Sequence, residues 1–174
     1  MNCTYSPAIV FRFCPKCGHP GFAPDTEKSL KCNNCGFRYF INMNAAVAAI
    51  IRNEKDEVLF TIRKHDPAKG MLDLPGGFVD PDETAENAIK REISEELNLE
   101  IRDMEFIGTF TNKYLYGGIE YQTLDLLFNC FVESFQNLRV ADDVSGYVFR
   151  NPHTVLPGEI GLESIKEIVK FLSA

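Results

Sequence analysis

Hydrophobic residues along the chain fall into two kinds of pattern, continuous runs and helical stripes, and together they predict a mixed α/β fold. Residues 45–52 are an almost uninterrupted run of small and branched apolar side chains, which is typical of a buried strand. Residues 58–63 form a similar run after a polar turn, so we expect the chain to return there as a second strand. Residues 101–110 and 121–132 have the composition of two longer strands.

Two segments carry apolar residues at helical spacing. Ile89, Ile93 and Leu97 form one stripe, and Thr84 precedes it as a candidate N-cap. A second stripe runs through residues 162–172 and predicts a helix that packs on the core. We therefore expect one helix between the two pairs of strands and one near the end of the sequence.

The polar side of the first helix carries a dense carboxylate cluster. Glu92, Glu95 and Glu96 fall within an arc of roughly 100° at helical periodicity. Arg91 lies four residues before Glu95, a spacing that favours a helical ion pair. Such a cluster is either a solvated acidic face or a site for hard cations, which prefer oxygen ligands. The Gly76-Gly77 turn just before the helix favours the cation site.

These residues together resemble the Nudix box. The matching positions are Gly77, Glu83, Arg91-Glu92-Ile93, Glu95-Glu96 and Leu99. Asn98 stands where the family pattern has glycine, and we expect it to end the helix in the left-handed conformation. The resemblance implies an α/β/α sandwich with a mixed sheet, and hydrolysis of a nucleoside diphosphate linked to another moiety.

The resemblance also implies a role for each residue of the cluster. Glu92, Glu95 and Glu96 would hold Mg²⁺ or Mn²⁺, with the Gly76 carbonyl as a further ligand. Glu92 is the first choice for the general base that activates water. Arg91 would orient the glutamates.

Four cysteines form a second motif before this region. Cys14 and Cys17 make one Cys-x-x-Cys pair, Cys32 and Cys35 make another, and glycine follows each pair. The pattern resembles a zinc ribbon with a structural Zn²⁺, because four thiolates leave no open position on the metal. Two disulfides are the alternative. We expect a short strand at residues 9–13 leading into this module.

The two motifs predict two domains, a zinc ribbon at 1–40 and a Nudix hydrolase domain at 41–174. This order resembles the arrangement in NADH pyrophosphatases, although the chain lacks tryptophan and with it the array that follows the box in those enzymes. ADP-ribose, nucleotide sugars, NADH and dinucleotides therefore all stay open as substrates. A non-catalytic nucleotide sensor, whose ribbon binds nucleic acid or protein, is the alternative function.

Candidate substrate contacts lie beyond the helix. Tyr114, Tyr116 and Tyr121 belong to a tyrosine- and glycine-rich stretch that either stacks on a base or sugar or is merely a hairpin tip. Asp125 alternates with leucines on a strand, so it faces either a cleft or water. We assign all four as candidate substrate-binding residues.

Composition limits the partners and the compartment. The net charge of −7 disfavours non-specific binding to nucleic acid, although residues 1–40 carry five basic and two acidic residues. No apolar run approaches the ~20 residues of a membrane span, and no secretory signal is evident. With four cysteines assigned to metal, Cys3 and Cys130 remain as lone thiols, which favours the cytoplasm. The resemblance makes a homodimer an additional expectation.

Overall fold

The computed structural model describes residues 7–174, with the side chains of Pro7, Ala8 and Tyr114 left out of the description. Cys3 lies outside the described residues. The chain forms two compact units, one of residues up to Met43 together with Tyr114–Gln122, the other of Asn44–Lys113 together with Thr123–Ala174. The predicted domain boundary between residues 40 and 41 stays a prediction.

The first unit is built around the cysteine motif. Its helix and strands are α1 (Pro7–Val10), β1 (Phe22–Thr26), β2 (Ser29–Cys32) and β3 (Arg38–Phe40), the strands forming an antiparallel sheet in that order. Phe22 and Leu30 are buried beside Cys14 and Cys32 and make its small core. The strand expected at residues 9–13 is wrong, because a short helix ends at Val10 and no strand follows before residue 22. A proline at the first helical position favours that helix.

The second unit contains two sheets and two long helices. Its elements are β4 (Asn44–Ile51), β5 (Val58–Arg63), β6 (Leu72–Asp73), α2 (Ala85–Leu97), β7 (Ile101–Tyr116), β8 (Ile119–Val132), β9 (Val144–Arg150) and α3 (Glu163–Leu172), except that the end of β7 and the start of β8, within Tyr114–Gln122, belong to the first unit. One sheet has the order β4-β8-β7, with β4 parallel to β8. The other has the order β6-β5-β9 and is antiparallel throughout. The fold is therefore mixed α/β, as predicted.

Residues on β4 alternate between two hydrophobic clusters. Val47, Ala49 and Ile51 pack with the apolar stripe of α2. Ala48 and Ile50 pack with the apolar stripe of α3. The stripes consist of Ile89, Ile93 and Leu97 on α2, and of Ile165, Ile168 and Val169 on α3. Because side chains of β4 pack into one hydrophobic cluster on each face of the sheet, the sheet lies between the two helices. The predicted α/β/α sandwich is therefore confirmed.

The tyrosine- and glycine-rich stretch is a hairpin. Strand β7 continues to Tyr116 and β8 starts at Ile119, so Gly117 and Gly118 alone form the tip. Both glycines have positive φ, 58° and 78°, as a tight turn between paired strands requires. The structure therefore contains the hairpin, and stacking of its tyrosines on a base or sugar stays a prediction.

Candidate active site

The Gly76-Gly77 turn is fixed against the edge of β4. The Val47 N–H donates to the Gly77 carbonyl at 2.8 Å, and the Ala49 N–H donates to the Pro75 carbonyl at 2.8 Å. Gly76 has φ +144°, and a side chain there would collide with the Val47 carbonyl. A side chain at Gly77 would collide with the Glu92 carboxylate. Glycine is therefore required at Gly76, where a side chain would meet the strand backbone, whereas a side chain at Gly77 would displace only the end of the Glu92 side chain.

Capping residues define both ends of helix α2. The Thr84 hydroxyl accepts a hydrogen bond from the Asn87 N–H at 3.3 Å. Asn98 takes the left-handed conformation with φ 52°, as predicted, and its side-chain amide donates to the Asn137 carbonyl at 2.8 Å. These two caps fix which residues of the helix face the turn.

Arg91 ties the helix to the segment that precedes it. Its guanidinium donates to both oxygens of Glu83, at 3.0 and 2.9 Å, and to the Phe78 carbonyl at 3.0 Å. The same group donates to Glu92 at 2.8 Å and to Glu95 at 3.1 Å, so the predicted helical ion pair is present. The Arg91 hydrogen bonds lower the pKa of Glu83. Arg91 thus holds Glu92 and Glu95 in place while Glu83 anchors the other side of its guanidinium.

Glu96 and Glu92 are the buried carboxylates of the cluster. Glu96 is 6% exposed, and the Gly76 N–H donates to its Oε2 at 3.1 Å. Burial raises the pKa of Glu96 to about 8, and the charge of Glu92 adds to this effect. Burial also raises the pKa of Glu92, against the opposing effect of Arg91. Two neighbouring carboxylates with raised pKa values are typical of a site that receives a cation or a proton.

The chemistry of the donor set fits a hard divalent cation. Among described residues, the Gly76 carbonyl accepts no hydrogen bond, although the carbonyls on either side of it are bound to β4. A free carbonyl beside three carboxylates offers the all-oxygen set that Mg²⁺ and Mn²⁺ prefer. In the described part of the chain, no choice of one carboxylate oxygen from each of the three glutamates places all three oxygens within 4.8 Å of one another.

Two further acidic residues, Asp142 and Asp143, approach the cluster from the turn that precedes β9. The Ala141 N–H donates to the Glu96 carbonyl at 2.9 Å, which brings the start of β9 to the end of α2. Burial has the largest effect on both buried glutamates. The charge of Asp143 further raises the pKa of Glu96, and the charge of Asp142 further raises the pKa of Glu92. Asp143 also lies 3.6 Å from His65.

Asp73 is another buried acid near the turn. It forms an ion pair with Arg63 at 2.5 Å, and its Oδ1 accepts from the Leu74 N–H at 2.8 Å. Burial raises the pKa of Asp73. Sequence reasoning missed Asp73, although an aspartate three residues before the Gly-Gly turn is the signal that could have found it.

The candidate substrate residues fall in both units. Tyr116 and Tyr121 make an edge-to-face contact in the hairpin, with ring centroids 6.4 Å apart, and belong to the first unit. Asp125 is buried and belongs to the second unit. The side chain of Tyr114 lies outside the description. A common role of these four residues in substrate binding stays a prediction.

The four motif cysteines are positioned to bind a metal ion. Their sulfur atoms all lie within 4.8 Å of one another, with 3.7 Å between Cys14 and Cys35 and 3.7 Å between Cys17 and Cys32. All four are free thiols, so the alternative of two disulfides is wrong. A backbone hydrogen bond from His19 lowers the pKa of Cys17 to about 6, which favours the thiolate that metals require.

No helix of the described chain is long and apolar enough to cross a membrane. Cys130, expected to be a lone thiol, is a free and buried cysteine, and burial raises its pKa to about 12.

Residues 43–166 match the NUDIX domain family. Among curated proteins, the chain is similar to the NAD-capped RNA hydrolase NudC of Haemophilus influenzae (strain PittGG), with 28% identity over 111 residues, 61% of this chain and 42% of the relative. It is also similar to the NAD-capped RNA hydrolase NudC of Yersinia pestis (strain Pestoides F), with 36% identity over 97 residues, 55% of this chain and 36% of the relative. The chain therefore spans less than half the length of these relatives.

Solved structures show the same fold. A NUDIX hydrolase from Nitrosomonas europaea matches with a TM-score of 0.69 at 21% identity, covering 93% of this chain and 90% of that chain. The NUDIX domain of Shewanella oneidensis NrtR, complexed with ADP ribose, matches with a TM-score of 0.61 at 20% identity, covering 75% of this chain and 86% of that chain. At these identities the similarity establishes the fold alone.

Proposed function

Because the chain belongs to the NUDIX domain family, as its sequence pattern implied, we propose that it is a divalent-cation-dependent pyrophosphohydrolase. Its substrate is a nucleoside diphosphate linked to another moiety. The observation that carries this proposal is the contact between the Gly76-Gly77 turn and the buried carboxylates of α2, where the Gly76 N–H binds Glu96 and Gly77 leaves room for Glu92. A helix face that was merely solvated would not bury two carboxylates against a turn in which glycine is required at Gly76.

The cation is Mg²⁺ or Mn²⁺, held by Glu92, Glu95 and Glu96 with the Gly76 carbonyl. When bound, the cation neutralises charge on the diphosphate and makes phosphorus more electrophilic. Burial raises the pKa values of Glu92 and Glu96 by disfavouring their ionised forms, and a nearby positive charge stabilises those ionised forms.

Glu92 is the general base in this proposal. Its Oε1 accepts a hydrogen bond from Arg91 at 2.8 Å, which fixes the direction of the carboxylate. Burial raises its pKa, and a base with a pKa closer to neutrality is a better acceptor for the proton of an attacking water. Arg91 is a positioning residue, because its contacts are with Glu83, Glu92, Glu95 and the Phe78 carbonyl.

The cysteine cluster holds a structural Zn²⁺ in this proposal. In a tetrahedron with Zn–S bonds of about 2.3 Å, sulfur atoms lie about 3.8 Å apart. The separations of 3.7 Å in this module fit that value. Four thiolates fill the coordination sphere, so this zinc stabilises the module without chemistry of its own.

Substrates of the NAD and ADP-ribose type come first among the candidates. The named relatives are NAD-capped RNA hydrolases, and NAD contains an ADP-ribose diphosphate. Nucleotide sugars and dinucleotides belong to the same chemical class. Free thiols throughout the cysteine module support a reducing, cytoplasmic location. A homodimer is part of the same proposal.

A substrate screen with product identification tests the proposed function. The purified chain is incubated with NADH, ADP-ribose, a nucleotide sugar, a dinucleoside polyphosphate and NAD-capped RNA, with Mg²⁺ or Mn²⁺. Mass spectrometry should show cleavage within the diphosphate, releasing a nucleoside monophosphate or 5′-monophosphate RNA. Absence of cleavage for the whole panel with both cations would contradict the proposal and would favour the non-catalytic nucleotide sensor.

A further inference from the structure

A cavity of about 200 Å³ lies at the end of the sheet where β4 and β8 finish. The register pairs Ile50 with Asn129 and Ile51 with Cys130, and the chain turns away from β8 after Arg52. The last residues of β8 therefore lie beside an open space instead of a neighbouring strand. All residues that line the cavity belong to the second unit.

Side chains rich in hydrogen-bond donors line this cavity. Arg52, Arg102 and Asn129 are among its lining residues. Alternation along the strands places Arg52 and Asn129 on the same face, because Asn129 is the register partner of Ile50. Arg102, at the start of β7, adds a second guanidinium. Two guanidinium groups and an amide thus border one space.

Most of these donors have no partner within the protein. In the described part of the chain, Arg102 forms neither an ion pair nor a side-chain hydrogen bond, and the Asn129 amide donates none. Arg52 donates to the backbone carbonyl and the carboxylate of Asp56 at 3.0 and 3.1 Å, but both bonds use its Nη1 group. Its Nε and Nη2 groups have no partner among the described residues. The cavity therefore suits a ligand that only accepts hydrogen bonds.

Glu133 is the acidic residue that lines the same cavity. It is exposed, and among described residues it forms no ion pair with either arginine. The Asp56 side chain, which pairs with Arg52, is 84% exposed, so water screens most of that pair. The charge of Arg102 is thus the least compensated at the cavity, and Glu133 opposes the binding of an anion without preventing it.

The size of the cavity and the number of donors favour phosphate as the ligand. Sites that enclose drug-sized ligands have roughly 300–1,000 Å³, so a cavity of about 200 Å³ fits a small anion or the charged end of a larger one. A guanidinium binds two oxygens of a phosphate or a carboxylate at once. A carboxylate has only two oxygens, whereas a phosphate has enough for both arginines and the amide.

The cavity is separate from the candidate active site. On β4, the Val47 N–H donates to the Gly77 carbonyl, and Arg52 follows five residues later. A rise of about 3.3 Å per residue puts roughly 16 Å between these two positions along the strand. A site at Arg52 is therefore not part of the site at the Gly-Gly turn.

We propose that Arg102, Arg52 and Asn129 form a second anion site, which binds the phosphate group of inorganic phosphate or of a phosphate monoester. Arg102 makes the bidentate contact, Arg52 donates from its Nε and Nη2 groups, and Asn129 donates from its amide. A nucleoside monophosphate is a phosphate monoester that the proposed function would release. Only the link to that product rests on the proposed function, since binding itself requires no catalysis.

Calorimetric titration with sodium phosphate tests the site, at low ionic strength and without divalent cations. Under these conditions the α2 carboxylates repel phosphate, so binding reports on the cavity. A hydrogen bond to a charged group corresponds to about a 10- to 100-fold change in affinity, so Arg102→Gln should weaken binding about 10-fold or more. Arg102→Lys should lose less, because it retains the charge. Arg139→Gln, at an exposed arginine outside the cavity, is the matched control.

Glu133→Gln should change the affinity in the opposite direction. Removal of this charge removes repulsion of the anion, so phosphate should bind up to about fivefold more tightly, the range of an exposed charge pair. A purely structural role of the two arginines does not predict this increase. Added salt should weaken phosphate binding to the unchanged chain, because it screens the guanidinium charges.

Amide chemical shifts measured by NMR locate the bound anion. Phosphate should shift the signals of residues 52, 102 and 129–133 and leave those of Gly76 and Gly77 unchanged. AMP as a second probe separates the two sources of the phosphate group. If AMP shifts the same signals and depends on Arg102, the cavity accepts phosphate monoesters. If inorganic phosphate alone does so, the cavity excludes the nucleoside, and either result supports the site.

Three results would overturn the inference: no phosphate binding up to about 10 mM, equal affinity in Arg102→Gln and the unchanged chain, or shifts confined to the Gly-Gly turn. Should Arg102→Gln fail to fold, Arg52→Gln and Glu133→Gln decide, because the inference requires weaker binding in the first and tighter binding in the second. A chain that binds phosphate here but cleaves no diphosphate would refute the proposed function alone. An active chain without this binding would refute the inference alone.

Discussion

Glu96 offers a test of the site through folding stability. Its carboxylate is 6% exposed and accepts a hydrogen bond from the Gly76 N–H at 3.1 Å. Burial raises its pKa from 4.5 to about 8, with smaller contributions from Glu92 and Asp73. Glu96→Gln keeps the shape and the hydrogen-bond acceptor but removes the ionisable group. The variant therefore isolates the cost of holding a charge at this position.

The sign of the effect follows from proton binding. Because the pKa of Glu96 is higher in the folded chain, the folded state retains a proton that the unfolded state has already released. Its contribution to the free energy of unfolding is greatest below pH 4.5 and is lost as the pH rises to about 8. The loss is about 1.4 kcal/mol per pH unit, or roughly 3 kcal/mol at pH 7. Glu92 and Asp73 act in the same direction, since burial raises their pKa values too.

Urea unfolding between pH 5 and pH 8 measures this effect, in buffer without added Mg²⁺ or Mn²⁺. We expect the free energy of unfolding of the unchanged chain to fall with rising pH. In Glu96→Gln the slope should be smaller by about the contribution of one bound proton, and the variant should be more stable by roughly 3 kcal/mol at pH 7. Glu86→Gln, at an exposed position in the first turn of α2, should keep the full slope. Identical slopes for Glu96→Gln and the unchanged chain would refute the reasoning.

Three further predictions concern other parts of the molecule. Arg91→Lys should lower kcat/KM about 10- to 100-fold, because lysine cannot replace the bidentate contact with Glu83. Lys90→Ala, beside it, should have little effect in the same steady-state kinetics. Equal loss in both variants would contradict the positioning role of Arg91. Elemental analysis should find one zinc per chain and markedly less in Cys32→Ser, and a metal-free wild-type chain would refute the zinc site. Asn98→Ala should destabilise by about 1 kcal/mol in urea unfolding, because alanine is poorly suited to φ 52°, and an unchanged midpoint would argue against that cap.

Local features of the sequence were enough to define α2 and the paired strands before it. Thr84 and Asn98 bound the helix through contacts within one turn, so the sequence contains most of what determines its ends. Strands β4 and β5 are continuous apolar runs because they are buried on both faces, and such runs are easily recognised.

Features that depend on the folded chain were harder to anticipate. Helical spacing predicted the Arg91–Glu95 pair, but the contact with Glu83 exists only because the preceding segment folds back on α2. Asp73 was missed because its position before the Gly-Gly turn is the one local signal, and its electrostatic effect on Glu96 depends on the folded chain. The extension of β7 to Tyr116 was missed for a different reason: its last residues are mostly exposed and lack an apolar pattern.

The central claim is that the carboxylates of α2 make the chain a hydrolase of diphosphates. The most direct measurement is the hydrolysis rate of the best substrate by the double variant Glu92→Gln, Glu96→Gln at saturating Mg²⁺, after circular dichroism has shown that it is folded. Loss of a general base and of cation ligands predicts that kcat falls by about 10³-fold or more. Full activity in the folded double variant would contradict the account.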